Sequence, residues 1–162
     1  MSADNNTDKM MTLAHPDRVL VSLRTGSKKQ VLADLAKAVA EVAGVHERQV
    51  FDVLVERERL GSTAMGGGIA IPHGRIAGLD RVYEIFARME KPVDFESLDN
   101  QPVDLVYLLL APAEAGADHL KALARVSRLL RDASTCAKLR GSDSEAALTS
   151  VLTAQYPASH AA

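Results

Sequence analysis

The chain holds one cysteine and no tryptophan in 162 residues, with only three tyrosines and three phenylalanines. A single thiol excludes an internal disulfide, and Cys136, set in an Ala- and Leu-containing segment, reads as a small buried apolar side chain. No Cys-x-x-Cys and no His-x-x-x-His pair occurs, so nothing supplies three or four zinc ligands from adjacent turns, and no metal is expected. An excess of charge of one sign is also missing. Lys and Arg number 19 against 21 Asp and Glu, a formal net charge of -2, and the basic residues are spread along the chain, which argues against a nucleic-acid footprint. No stretch approaches the roughly 18 uninterrupted apolar residues of a membrane span. Residues 1–9 are polar and lack the apolar run of a signal peptide, so the expectation is a cytoplasmic chain without membrane insertion.

What is present suffices for one core, since 47% of the residues are hydrophobic. Residues 1–10 read as a disordered arm and 157–162 as a flexible tail, leaving one domain over 11–156. Residues 18–23 alternate as a short strand. Ser27, with Gln30 three positions on, predicts a capping box opening a helix whose stripe is Val31, Leu32, Leu35, Val39 and Val42, closed by Gly44. Residues 47–60 read as a second helix with Val50, Phe51, Leu54 and Val55 inward. Residues 82–89 and 103–110 read as strands, and the near-continuous apolar character of the second predicts a central strand covered on both faces. The connection from Pro92 to Pro102 carries a short extended piece near Phe95. Over 118–132, Leu120, Leu123, Ala124, Val126, Ser127 and Leu130 recur at helical spacing, with Leu129 broadening the stripe. Ser134 and Ser142 are expected to open two short helices ending near Tyr156. The sum is an α/β fold, a single domain with a mixed β-sheet covered by helices on both faces.

The segment from Gly61 to Arg75 carries the chemistry. It sets His73 between Pro72 and Gly74 at the end of a glycine-rich apolar run, which predicts an imidazole presented at a strand end. Gly74 would let a phosphate or another chain approach closely. Gly66, Gly67 and Gly68 could turn several backbone N–H groups toward one point, and Ser62 and Thr63 would add hydroxyl donors for an anion. The guest these features suit is a phosphoryl group. His119 falls where the helix over 118–132 begins, after the strand over 103–110, and strand-to-helix junctions gather at the ligand edge of α/β sheets. The expected arrangement makes His73 the nucleophile and His119 a stabiliser of charge on the phosphoryl group, with Arg57 reaching the same loop. Met65, Ile69 and Ile76 are candidates for an apolar rim that docks the donor. The glycine run lacks the spacing of a dinucleotide fingerprint and the Lys-Ser/Thr ending of a P-loop, so no nucleotide and no other cofactor is expected.

Arg57-Glu58, then Gly61-Ser62-Thr63 through Ile69-Ala70-Ile71-Pro72-His73-Gly74, closely resembles the active-site motif of enzyme IIA components of the bacterial phosphotransferase system, of the mannitol/fructose/nitrogen type. Asp99-Asn100-Gln101-Pro102-Val103-Asp104-Leu105 and Asp118-His119-Leu120 match as well, most closely the nitrogen-regulatory branch, and the resemblance runs from about residue 12 to 155. It implies a mixed sheet flanked by helices, phosphorylation of His73 on one of its two ring nitrogens, and a second active-site histidine at His119. It also implies a donor, a small HPr-like phosphocarrier, and an output exerted by binding regulated proteins such as sensor kinases or ion transporters. Thr63-Ala64-Met65-Gly66 stands where the family loop often reads Thr-Gly-Ile-Gly. Two alternatives stay open: a sugar-specific IIA component that passes phosphate to a separate IIB domain, and a protein-binding module that is never phosphorylated.

Overall fold

Eleven elements follow one another through residues 14–154, the part of the chain that the computed structural model describes. They are Arg18–Leu23 (β1), Lys28–Ala43 (α1), Glu47–Arg59 (α2), Ala64–Gly66 (β2), Ile69–Ala70 (β3), His73–Ile76 (β4), Tyr83–Val93 (β5), Val103–Pro112 (β6), Gly116–Arg131 (α3), Ala133–Arg140 (α4) and Glu145–Thr153 (α5). The arm expected over 1–10 and the tail over 157–162 lie outside the described residues. The strands make one six-stranded mixed sheet in the order β1-β5-β6-β3-β2, with β4 paired to β6 as well. Pairing is parallel for β1–β5, β3–β6 and β4–β6 and antiparallel for β5–β6 and β2–β3.

β6 is the central strand that its composition predicts. Its side chains alternate between the faces: Val106, Leu108 and Leu110 enter one core with α1 and α2, while Leu105, Tyr107 and Leu109 enter the other with α3, α4 and α5. All six are fully buried. Apolar β6 residues thus hold helices on both sides of the sheet, the arrangement expected from an α/β chain.

Several local signals are shifted. Ser27 caps α1 by accepting from the Gln30 N–H, but the Gln30 side chain bonds Asp34, so only half of the capping box forms. Gly44, at φ 71°, closes that helix and leaves Val42 outside the core. In α3 the buried stripe is His119, Ala122, Val126, Leu129 and Leu130, whereas Leu120 is 63% exposed and Ala124 is also outside. Hydrophobicity alone therefore rotated the expected stripe, because a histidine occupies its first buried position. α4 is capped by Asp132 in place of Ser134, and α5 by Ser144 in place of Ser142, whose hydroxyl instead donates to the Lys138 carbonyl. Phe95 is fully buried, in the connection after β5.

β3 and β4 lie end to end along the same side of β6, Ile69 opposite Leu105 and His73 opposite Leu109. The break between them is Ile71-Pro72. Proline has no amide hydrogen to give a ladder, yet its carbonyl still accepts from Leu109 N at 3.0 Å, so the chain stays on β6 across the interruption. β2 covers the outer side of β3, while among the described residues β4 has no strand beyond it. α2 packs on β4 so tightly that a Cβ on Gly74 would stand 2.6 Å from Val53 Cγ1. Gly74→Ala should lower stability by about 1–3 kcal/mol through this overpacking. Urea unfolding would check it, with Val53→Ala in the same chain expected to recover part of the loss.

Candidate functional site

The open edge of β4 is where the two helical layers meet. Strand alternation sends His73 and Arg75 to one side of β4 and Gly74 and Ile76 to the other. The C-terminal turn of α2 brings Arg57 from one layer, and the first turn of α3 brings His119 from the other. Together with Val53, Glu56 and Leu60 these residues line a cleft of about 440 Å³.

Each imidazole in the cleft is fixed by one hydrogen bond at Nδ1, but in opposite senses. His73 Nδ1 is 2.8 Å from the Ile71 carbonyl, to which only a protonated nitrogen can donate. The His73 proton therefore sits on Nδ1, and the Nε2 lone pair accepts a hydrogen bond from Arg57 Nε at 3.3 Å. Arg57 is steadied by donating from Nη1 to the Gly61 carbonyl at 2.9 Å. In His119, Nδ1 accepts from Arg75 Nε at 3.0 Å, so the proton of the neutral ring is on Nε2. That Nε2 is buried and has no partner among the described residues. The two rings meet edge to face, with centroids 5.5 Å apart.

Both rings are held neutral. Burial pushes the His73 pKa below its ordinary value, opposed by the Ile71 carbonyl and reinforced by Arg57. His119 is 6% exposed, and burial, with His73 and Arg75 beside it, pushes it down to about 4. A neutral imidazole whose Nε2 lone pair is held by the Arg57 N–H and a neutral imidazole with an unpartnered N–H thus share one cleft beside two guanidinium groups. The first can attack an electrophile, and the second can donate to an anionic oxygen.

The sequence signals for Ser62, Thr63 and the glycine run lead elsewhere. Ser62 Oγ donates to the Phe95 carbonyl and accepts from Ala64 N, and Thr63 Oγ1 donates to Glu58. Neither residue lines the cleft. Gly66, Gly67 and Gly68 all have positive φ; Gly66 ends β2, and Gly67 and Gly68 form the β2–β3 turn. Gly67 N donates to Asp99 Oδ2 at 2.9 Å, so a carboxylate of the chain itself occupies the anion site that the turn makes. Arg140 then clamps the Gly67 carbonyl and Asp104. This turn sits near Asp104, whereas His73 is opposite Leu109, about 13–17 Å further along β6 at the strand rise. Gly74 does line the cleft, but the group approaching it closely is Val53. Ala64 is in β2 without positive φ, so its position does not require glycine. Of the expected rim, Ile69 and Ile76 are buried and Met65 packs against the core; exposed apolar surface at the site belongs to Leu60, 85% exposed in the cleft wall.

Arg75 and Glu58 are part of the sequence motifs but are given no role there, and Lys28 is not singled out. Arg75 is two positions after His73, a spacing that on any strand gives a shared face. Glu58, its side chain 6% exposed, pairs with Lys28 Nζ at 2.8 Å and accepts from Thr63 N, tying α2 and the start of α1 to the loop before β2. Lys28 has no local signal, because its role comes from the packing of α1 beside α2. Among the described residues no group of three or more His, Cys, Asp or Glu could hold a metal ion, and no helix is long and apolar enough to cross a membrane.

Known proteins share this architecture and much of this sequence. The chain is 56% identical over 140 residues to a nitrogen regulatory protein of Bradyrhizobium diazoefficiens, an alignment covering 86% of this chain and 92% of that protein. Its structure resembles that of nitrogen regulatory protein IIA-Ntr from Neisseria meningitidis, with a TM-score of 0.79, 32% identity, and coverage of 88% and 94%. Mannitol IIA from Escherichia coli, at 19% identity and a TM-score of 0.71 over 83% of this chain and 94% of that one, shares the fold. Residues 12–155 match the family model for the phosphoenolpyruvate-dependent sugar phosphotransferase system, EIIA 2, and the chain belongs to that family.

Proposed function

We propose that the chain is a phosphocarrier whose His73 accepts a phosphoryl group at Nε2 from a phosphohistidine on a small HPr-like carrier, and whose charged state regulates partner proteins. The observation that carries this reading is the pair of Nδ1 hydrogen bonds. The Ile71 carbonyl holds the His73 proton on Nδ1 and leaves the Nε2 lone pair at the cleft, where it accepts from Arg57 Nε until that guanidinium moves onto the phosphoryl oxygens. In the transfer, the donor N–P bond breaks and its electron pair returns to the donor imidazole, while the His73 Nε2–P bond forms. His73 keeps its Nδ1 proton, so positive charge grows on the ring and is stabilised by the Ile71 carbonyl. Arg57 and the Nε2–H of His119 receive the equatorial oxygens, and little else is needed for a loose in-line transition state. Ser62 and Thr63, whose hydroxyls are committed elsewhere, serve by shaping the loop, and Gly74 by letting α2 stand close enough for Arg57 to reach.

The nitrogen regulatory names of relatives at high coverage support a regulatory output, with sensor kinases or ion transporters as the class of regulated protein. A phosphoryl group adds about -1.5 to -2 charges to a cleft that holds two guanidinium groups and one carboxylate, Glu56. A partner reading that surface meets opposite signs in the two states.

Intact mass after incubation with phosphoenolpyruvate, enzyme I and the phosphocarrier should show one added phosphoryl group, removed by mild acid and absent from His73→Ala. No adduct with either a sugar-branch or a nitrogen-branch carrier would make the unphosphorylated binding module the better reading. His119→Ala should slow acceptance about 10²–10³-fold, the loss typical of one transition-state donor, and an unchanged quench-flow rate would remove it from the reaction. Protonation of Nε2 abolishes the lone pair, and the folded pKa is lowered. Acceptance should therefore rise with pH through an apparent pKa below the ordinary 6.5 and be level at neutral pH. A midpoint above that value would contradict the buried, neutral nucleophile.

A further inference from the structure

Resting on the phosphocarrier reading, we infer that Arg75 is a positioning residue that selects the Nε2–H tautomer of His119 and so sets which of its ring nitrogens meets the phosphoryl group. Arg75 makes no ion pair among the described residues, although it is exposed, and its side-chain hydrogen bond is the one from Nε to His119 Nδ1 at 3.0 Å. An unpaired arginine on the open edge of a strand would ordinarily turn to water or to a carboxylate. Here it lies beside the first residue of α3, with both Nη atoms close to Gly116.

The consequence follows from how imidazole titrates. A neutral ring has one N–H, and a nitrogen that accepts from a guanidinium cannot also hold it. Without Arg75 the two tautomers of His119 would differ little, and the form with its proton on Nδ1 would turn a lone pair toward the anionic oxygens. With Arg75 in place the donor is assigned before the phosphoryl group arrives. The guanidinium also polarises the ring, because donation into Nδ1 draws density from the far nitrogen and strengthens its N–H as a donor. Of the three buried polar atoms without a partner among the described residues, Arg88 Nη1, Arg125 Nε and His119 Nε2, it is His119 Nε2 whose residue lines the cleft. The charged and titratable groups around the ring are His73 and Arg75 from β4, with Arg57 and Glu56 from α2 across the cleft. None of these is hydrogen-bonded to the Nε2 proton, which is thus free for the incoming oxygen.

The arrangement is symmetric in a useful way. A backbone carbonyl at Nδ1 makes His73 an acceptor at Nε2, and a guanidinium at Nδ1 makes His119 a donor at Nε2. Two residues of the same type acquire opposite chemistry from what stands behind them, and Arg75 supplies the second half.

The test is a comparison of wild type with Arg75→Met, which keeps the aliphatic stem and removes every donor, alone and combined with His119→Ala. In the unphosphorylated wild-type protein at pH 7, long-range ¹H–¹⁵N spectra should show His119 protonated on Nε2, and Arg75→Met should shift it toward a mixture of tautomers. Phosphoryl acceptance should fall about tenfold to a hundredfold in Arg75→Met, at most the loss of a full transition-state donor. In the His119→Ala background the same change should alter the rate less than about twofold, since a residue acting through His119 has nothing left to act on. Wild-type His119 protonated on Nδ1, or an equal fold-loss in both backgrounds, would overturn the inference, the latter by placing Arg75 directly on the phosphoryl group or on the donor. A wild-type chain that accepts no phosphoryl group would sink the phosphocarrier reading instead, and the tautomer spectra would still decide what Arg75 does to His119.

Discussion

The hydrogen bond from His73 Nδ1 to the carbonyl two residues before it is what the site depends on. The Ile71 N–H donates to the Thr63 carbonyl while the Pro72 carbonyl accepts from Leu109, so successive residues address opposite sides of the chain. The Ile71 carbonyl, turned away from β6 at the break between β3 and β4, is satisfied by the imidazole that follows. The same bond chooses the tautomer, and on the proposed function the tautomer chooses the reacting nitrogen. A rotation of the ring about χ2 would lose the bond, so on that reading a single backbone carbonyl sets the direction of attack.

The rest of the sheet can be understood as support for that break. β6 keeps its ladder running past Pro72 through the Pro72 carbonyl, so the interruption does not propagate. Gly74 accepts the approach of Val53, which seats α2 where Arg57 can reach Nε2. Glu58, one residue further along α2, is held by Lys28 and the Thr63 amide, so the helix end and the loop that leaves it move as one unit. Burying such an ion pair contributes little net stability, but removing one partner would leave the other unsatisfied in the interior. Its effect is to fix the helix end, and with it the Arg57 guanidinium, relative to β4.

Much of this was legible in the sequence, for physical reasons that also explain the rest. β6 declares itself because a strand covered on both faces has no use for alternation, and β1 because its pattern is short and bounded. His73 is conspicuous because Pro and Gly on either side constrain the backbone in ways that few structural needs require. The glycine run misled because a positive-φ turn and an anion nest have the same composition; Asp99, 32 residues beyond Gly67, fills it, and no local pattern reveals so distant a carboxylate. Ser62 and Thr63 misled similarly, since a hydroxyl that donates to a carbonyl looks in sequence like one that donates to a phosphate. The rotation of the α3 stripe has a different origin. Reading hydrophobicity alone excludes histidine from a buried face, yet His119 opens that face, and its burial lowers its pKa and keeps it neutral.

That last point bears on how two histidines can share one site without becoming equivalent. At 5.5 Å between ring centroids, a charge on either would oppose a charge on the other, and two guanidinium groups nearby oppose both. The site is thus biased against any additional positive charge. On the proposed function the balance reverses with the phosphoryl group: the new anion favours Arg57 and tolerates the cationic character that His73 acquires on forming its Nε2–P bond. The guanidinium groups therefore crowd the unphosphorylated site with like charge that the phosphoryl group relieves, which favours acceptance. The relief cannot be complete, because an open cleft of about 440 Å³ leaves the group in contact with water and with any partner that docks over Leu60. A carrier that bound its phosphoryl group more fully would hold it out of a partner's reach, and placing the site on the uncovered edge of β4 prevents that enclosure.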